Sequence, residues 1–500
     1  MAKLNFDLPK IDADLVIPTL ARDAMAHIKT HPADPDIQEN LGYPTQLVDD
    51  WQAVAVKRLG ELLEQNKALK VYLDSCVKCG ACSDKCHYYL GTGDPKNMPV
   101  ARQDLLRKIY RRYFTTAGKY LPKLVGAEDL TEEVLDDWNT YFHQCSQCRR
   151  CAVYCPYGID TGEISMAARD IMAHIGIAQK YTHQVLDKAT RVGNNLGLPQ
   201  PALIDTLESL EEDLLEETGI NIKLPLDKPN AEILLVTPSA DFFAEPHVDG
   251  LLGYAKVFHQ AGISWTLSTI ASEAANFALF NGATEHMKTL TDKVYSAAKQ
   301  LAVKRIVVGE CGHAWRVAHN YWNTLSGPFD FLDPNYPTAQ HICDFTYEQM
   351  QAGKLNIDKS LNDHIRVTYH DSCNVARASS MGGIQGGQFS IPRHVIKAVC
   401  NHFVEMRQDT TEEQTFCCGA GGGLLTDELM EVRVKGALPR MQALNEVRER
   451  DSVSHIAAIC AICKSQFTTL LPMYDIPMAA VVSVHQLVSN ALVFDTDQNN

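Results

Sequence analysis

The residues able to do chemistry are cysteines, 16 in all. Eight form two runs, Cys76-x2-Cys79-x2-Cys82-x3-Cys86 and Cys145-x2-Cys148-x2-Cys151-x3-Cys155-Pro156. Three thiolates two residues apart wrap three corners of an iron–sulfur cube, and their loop amides can point at its sulfides. In two-cluster ferredoxins the fourth cysteine of each run serves the other cluster. The spacing therefore predicts two cubane [4Fe–4S] clusters, one held by Cys76, Cys79, Cys82 and Cys155, the other by Cys145, Cys148, Cys151 and Cys86. Zinc, the competing ion, wants a closed set of four ligands, and the third interval of each run has no use there. His87 follows Cys86 where proline is usual. The 58 residues between Cys86 and Cys145 exclude a minimal ferredoxin and predict a helical elaboration.

A second set lies downstream: Cys373, the adjacent pair Cys417-Cys418 before Gly419, and Cys460-x2-Cys463. Adjacent thiols suit a larger, irregular cluster in which neighbouring sulfurs reach different irons, and five cysteines exceed what a cubane needs. The glycine runs Gly419-Ala-Gly421-Gly-Gly423 and Gly382-Gly383-Ile-Gln-Gly386-Gly387 would let backbone approach a bulky cofactor. Flexible loops are the plain alternative. A dinucleotide site is the weaker one, since neither run has GxGxxG spacing after a strand.

Elements must position these thiols. Trp51 to Lys70, Val100 to Tyr113, Thr131 to Phe142, Gly162 to Ile175 and Pro201 to Glu217 carry helical apolar spacing. After Asn230 short apolar runs (Ile233 to Val236, Arg305 to Val308, Ile365 to Tyr369, His455 to Ala458) alternate with helical stretches, the pattern of βαβ units and a mainly parallel sheet. The strand-then-Cys element at Arg305–His313 resembles His455–Cys463, with Cys311 falling on Cys463. That predicts two α/β repeats, only the second fully equipped with cysteines.

Bulk properties narrow the function. With 46 basic against 61 acidic residues and net charge −15, the chain lacks the basic surface that tracks phosphates. No secretory leader is visible, and no uninterrupted apolar stretch reaches spanning length; Ile476 to Phe494 reads as a strand followed by a helix. The expectation is a cytosolic, soluble chain, where thiols stay reduced and bind metal. Several smaller candidates have open roles. Cys311, His313 and His319 are a remnant of the degenerate repeat, a proton relay or a substrate contact, with the remnant favoured. Cys343 and Cys400 read as buried structural thiols. His370 and Asp371 supply protons or cap a turn, and Arg377 orients an anionic partner or the cluster sulfides.

The combination of a two-cluster module with Cys373…Cys417-Cys418-Gly…Cys460-x2-Cys463 resembles the heterodisulfide reductase family. Within it, the pattern is similar to HdrD-like subunits carrying a CCG domain, the DsrK subunits of DsrMKJOP membrane complexes among them. The resemblance implies a multidomain fold, with an N-terminal α-helical two-[4Fe–4S] ferredoxin module followed by an α/β CCG-domain pair with mainly parallel sheets. The expected boundaries are 1–70 (a covering or docking segment), 71–225 (ferredoxin-type), 231–345 (degenerate first repeat) and 365–490 (complete repeat). It implies one non-cubane [4Fe–4S] cluster on catalytic Cys373, Cys417, Cys418, Cys460 and Cys463, where a disulfide or longer sulfur chain is cleaved or joined. It further implies a DsrM-like quinone-reactive membrane subunit as partner, a small DsrC-like sulfur carrier as substrate, and attachment to the cytoplasmic face of the inner membrane. The rival reading is an electron-transfer subunit without its own substrate, as in glycolate oxidase or anaerobic glycerol-3-phosphate dehydrogenase.

Overall fold

The computed structural model describes residues 29–494; residues 1–28 of the expected N-terminal segment lie outside the described residues. Helix Trp51–Gln65 buries Trp51, Ala55, Leu59 and Leu63, one stripe at four-residue spacing. The sequence predicts that it runs on to Lys70. Instead it stops at Asn66, whose side chain accepts the Leu69 N–H at 3.2 Å and starts a new helix, Lys67–Ser75. Helices Pro99–Phe114, Glu132–His143 and Thr161–His174 share one core with these two, built around Leu59, Leu106, Trp138, Ile164 and Ile171. Arg58 adds an ion pair to Asp170 at 2.6 Å. Residues 51–75 are thus built into the core of the helical module.

After the acidic helix Gln200–Thr218 the chain enters two α/β lobes. The first has strands β1 (Ile233–Val236), β2 (Trp265–Thr266), β3 (Arg305–Val308) and β4 (Gln340–His341) in the order β2-β1-β3-β4. The second has β5 (Val367–His370), β6 (His455–Ala458) and β7 (Val481–Ser483) in that order. Every ladder is parallel. Buried on both faces, such strands read as continuous apolar runs; β1 does throughout and β3 does after Arg305. The strand expected from Ile365 begins at Val367, because its ladder partner His455 opens β6.

The lobes are not separate bodies: Leu234, Val307, Val367, Val484 and Leu487 belong to a single core. The helical module also locks onto the second lobe where helix His87–Thr92 crosses helix Met430–Asp451. A Cβ on Gly91 would lie 1.7 Å from the Lys435 carbonyl oxygen, and one on Gly436 would lie 2.2 Å from the Tyr88 ring. Only glycines permit that approach. Among the described residues no helix is long and apolar enough to cross a membrane.

Candidate metal centres

The eight ferredoxin-type cysteines sort into two cavities. Cys76, Cys79, Cys82 and Cys155 line one together with Gln103 and Pro156. Cys86, Cys145, Cys148 and Cys151 line the other with His87, Arg102 and Arg150. The fourth cysteine of each run thus faces the other run's first three. Left-handed backbone at Lys78, Gln147 and Arg149 bends the intervening loops, and the Gln147 N–H points at Cys145 Sγ, 3.4 Å away.

The sulfurs are met by donors that the cysteine spacing does not reveal. Gln103 Nε2 donates to Cys76 Sγ at 2.9 Å. Arg102 is buried, with NH1 3.9 Å from Cys86 Sγ. Burial opposes its charge, but the Cys86 and Cys145 thiols outweigh burial and raise its pKa. Arg169 bonds the carbonyls of Cys145 (2.8 Å), Phe280 (2.9 Å) and Gly422 (2.6 Å), stitching three segments together.

The downstream five converge from three places. Cys373 opens helix Cys373–Ala378 just beyond β5. Cys417 and Cys418 sit in the loop before helix Met430–Asp451. Cys460 caps helix Ala461–Leu470 after β6, with Cys463 on its first turn. The carboxyl ends of parallel strands are where α/β folds gather their sites. The sulfurs form a continuous chain of hydrogen-bonding contacts: Cys373 to Cys417, Cys417 to Cys418, Cys418 to Cys463, and Cys463 to Cys460. All five are buried. Mutual contact and burial push Cys373, Cys418 and Cys463 well up, while contact with neighbouring thiols brings Cys417 and Cys460 well down.

Three residues branch from this chain. Beside Cys417 the buried His87 is hydrogen-bonded to Gly436 O and Ser146 Oγ, both at 2.7 Å. It also contacts Cys417 and Cys148, so it bridges the downstream set and a ferredoxin-type set. Burial disfavours its charge, but the two thiols outweigh burial and raise its pKa well above the usual imidazole range. At the Cys460 end Cys311 contacts Cys460, and His313 Nδ1 lies 3.6 Å from Cys460 Sγ.

The register expected for the repeat is corrected by the structure. Cys311 caps the helix after β3 just as Cys460 caps the helix after β6, so Cys311 matches Cys460 rather than Cys463. The turn after β3 is one residue longer, which an ungapped sequence match misses. Other expectations also change. Gly419–Gly423 packs against protein backbone: a Cβ on Gly422 would lie 2.8 Å from Cys145 O. The Gly382–Gly387 run makes a turn of left-handed residues into helix Gly387–Val399. Arg377 donates to the carbonyls of Cys148 (2.6 Å), Glu413 (3.0 Å) and Thr415 (2.8 Å). Asp371 forms a two-pronged pair with Arg393 at 2.7 and 2.8 Å and accepts the Glu412 N–H, a structural clamp. Burial, reinforced by Arg440, lowers His370 to about 3, which keeps it neutral. His319 bonds Asn320 and Ser380 near the surface. Cys343 and Cys400 are buried, as their sequence contexts lead one to expect.

The donor set fits iron–sulfur clusters. The 16 cysteines are free thiols, all but Cys343 and Cys400 ring cavities or touch in a chain, and amide N–H groups point at Cys145 and, at 3.4 Å, Cys417. Comparison with known proteins gives the same class. A family described as "4Fe-4S dicluster domain" matches residues 72–159, and one described as "Cysteine-rich domain" matches residues 367–468. These features define an iron–sulfur oxidoreductase subunit.

The chain is 40% identical over 478 residues to the "Hdr-like menaquinol oxidoreductase iron-sulfur subunit" of Archaeoglobus profundus, covering 90% of this chain and 84% of that one. It is also 40% identical over 488 residues to "Hdr-like menaquinol oxidoreductase iron-sulfur subunit 2" of Archaeoglobus fulgidus, covering 92% and 86%. With one subunit of the Methanosarcina barkeri "Dihydromethanophenazine:CoB--CoM heterodisulfide reductase" it shares 26% over 405 residues, covering 78% and 87%. The chain belongs to the HdrD-like iron–sulfur subunit family.

Proposed function

We propose that this chain is the catalytic iron–sulfur subunit of a membrane-bound redox complex of the DsrMKJOP type, itself DsrK-like, acting on sulfur–sulfur bonds. The observation that carries this reading is the unbroken sulfur chain from Cys373 to Cys460, joined to Cys148 through His87. Two cubane clusters, ligated crosswise by Cys76, Cys79, Cys82 and Cys155 and by Cys145, Cys148, Cys151 and Cys86, form the relay. Cys373, Cys417, Cys418, Cys460 and Cys463 hold a non-cubane cluster. When bound, that cluster supplies one-electron steps beside a substrate sulfur. Cys79 is exposed whereas the downstream five are buried, so electrons exchange with a partner at one end of the relay and with substrate at the other. His87 and Arg377 hold the Cys148 loop against the downstream loop, and Arg102 offsets the charge of the thiolates.

The naming of the Archaeoglobus relatives as menaquinol oxidoreductase subunits supports a quinone-reactive, DsrM-like membrane partner. The chain then sits on the cytoplasmic face of the inner membrane through partner subunits. The substrate in this reading is a DsrC-like carrier presenting a disulfide or trisulfide on a narrow tail. Anaerobic purification with iron and sulfide analysis tests the inventory, with about twelve irons per chain expected. Oxidation with the carrier bound should produce a new paramagnetic state that disappears in Cys417→Ser. An unchanged spectrum with intact carrier, or a copurifying flavoprotein that accounts for the activity, would establish the electron-transfer reading instead.

A further inference from the structure

A cavity of about 490 Å³ opens where the two lobes meet the helical module, a size typical of small-ligand sites. Cys311 is the one cysteine on its wall, and Ala461 and Ile462, which separate Cys460 from Cys463, are part of it too. Ser239 and Glu273 line the same space. Their positions in the first lobe parallel the cysteines of the second. Ser239 follows β1 by three residues, as Cys373 follows β5. Cys311 caps its helix as Cys460 does. Glu273 stands in the loop whose counterpart carries Cys417 and Cys418. The cavity therefore occupies the place in the first lobe where the second gathers its thiols, and the Cys311–Cys460 contact joins the two.

We propose that this cavity receives the sulfur-bearing substrate and that Cys311 exchanges with its disulfide next to Cys460. The proposal rests on the sulfur chemistry proposed above and adds the substrate site and a catalytic thiol. In the exchange, Cys311 Sγ attacks one sulfur of R–S–S–R′. The S–S bond of the substrate breaks as Cys311–S–S–R forms, and the proton of the Cys311 thiol ends on the departing R′S⁻, giving R′SH. The step is electron-neutral. Two electrons from the reduced iron–sulfur relay and two protons then return the Cys311 thiol and release RSH.

Glu273 is placed to carry protons in this space. Its carboxylate accepts the Ser239 N–H at 2.8 Å and the Ser239 hydroxyl at 2.7 Å. Burial, which outweighs those bonds, lifts it to about 7. The charged or titratable groups around it are Asp241, Cys311 and, on the cavity wall, Lys188. Lys188 is the exposed cation of the wall and suits a substrate with a carboxylate near its sulfur.

The test uses glutathione disulfide on the oxidised, cluster-loaded protein under anaerobic conditions, read by mass mapping of cysteine peptides. Expected are a glutathione adduct on Cys311 and release of one equivalent of glutathione. Cys311→Ala and the size-matched Cys311→Ser should both lose the adduct while keeping the iron content and resting EPR spectrum. No adduct in the unaltered protein, an adduct on Cys343 or Cys400 instead, or equal labelling of the variants would overturn the proposal. EPR with the protein-borne carrier separates the two readings. A carrier-induced state of equal size in Cys311→Ala would remove the exchange step and leave cluster chemistry standing. No such state in either protein would remove both.

Discussion

The two lobes solve one backbone problem with different side chains. In each, a buried parallel strand ends in a short turn, and a cysteine caps the following helix: Cys311 after β3, Cys460 after β6. In the second lobe that cysteine is one of five thiols in contact. In the first it is the one thiol at the matching site, and a cavity lined by Ser239 and Glu273 replaces the rest. The residue before the cap differs as well. The first lobe has Glu310 and the second Ile459. Glu310 is buried, and its charge is met across the lobe boundary by Lys464 Nζ at 3.3 Å and by His485 N and Nδ1 at 2.9 and 2.7 Å. A strand end in a parallel sheet fixes where a site lies, and the side chains set there decide whether it gathers metal or leaves room for a ligand.

The largest effect is expected from exchanging the matched cysteines one at a time. Cys460→Ser should remove the downstream cluster, about four irons per chain, and leave the ferredoxin-type signals in place. Cys311→Ser should remove none. If iron analysis shows the same loss in both, the lobes share one ligand set and the contrast between them is wrong. Next comes Glu310→Ala, which leaves Lys464 buried without its partner and should cost about 3–5 kcal/mol, the usual effect of breaking a buried pair, read as a lowered thermal midpoint. Burial pushes the Glu310 carboxyl up, but Lys464 and the His485 bonds outweigh it and hold the folded value at about 2, below the ordinary 4.5. Its contribution is therefore complete above pH 4.5 and is lost as pH falls through about 2. Acid titration of the unaltered protein and of Glu310→Ala should converge there. A constant gap would mean that the pair is not the source.

The lobes also meet the helical module differently, and this gives a smaller effect. The second lobe touches it through His87 between Cys148 and Cys417, the first through the Phe280 carbonyl, which accepts from Gln147 Nε2 at 2.8 Å. His87→Phe should slow electron arrival at the downstream cluster roughly tenfold, about 1.4 kcal/mol of barrier, with iron content unchanged. Rapid-freeze EPR after mixing with reductant measures it. An unaltered rate would place the electron path elsewhere.

Much of this was legible in the sequence because cysteine spacing is covalent geometry written in one dimension. Intervals of two residues mark a cube's corners, and short, mainly apolar runs mark strands buried on both faces. What stayed hidden depends on contacts across long separations. His87 looked like a mere departure from the usual proline, yet it meets Gly436, 349 positions away. Arg169, inside a helix buried on nearly all sides, gives no sign in sequence that it bonds three separate backbones. Cys311 reads as a remnant matched to Cys463, because nothing in the sequence shows that it caps its helix as Cys460 does. The helix break at Asn66 was missed because apolar spacing carries on across it, while the break depends on one side-chain cap.

The smallest expected effect probes how far the first lobe is from holding metal itself. Counting along the helices capped by Cys311 and Cys460, Ala314 falls at the position of Cys463. Ala314→Cys would restore a second thiol one turn beyond Cys311, at a buried site (3% exposed). Replacing alanine by cysteine adds one heavy atom to a packed interior, so stability should change by only about 1 kcal/mol. Two thiols without counterparts at Ser239 and in the Glu273 loop make half a ligand set, and iron–sulfur clusters need more. Iron and sulfide per chain should therefore stay at the unaltered value, and the EPR spectrum should show no added centre after reconstitution with iron and sulfide. Added iron in Ala314→Cys would mean that Cys311 and one neighbour suffice, and the first lobe would then be a cluster site lacking a single residue. Unchanged iron would tie the contrast to Ser239 and Glu273, which line the cavity where the second lobe gathers thiols.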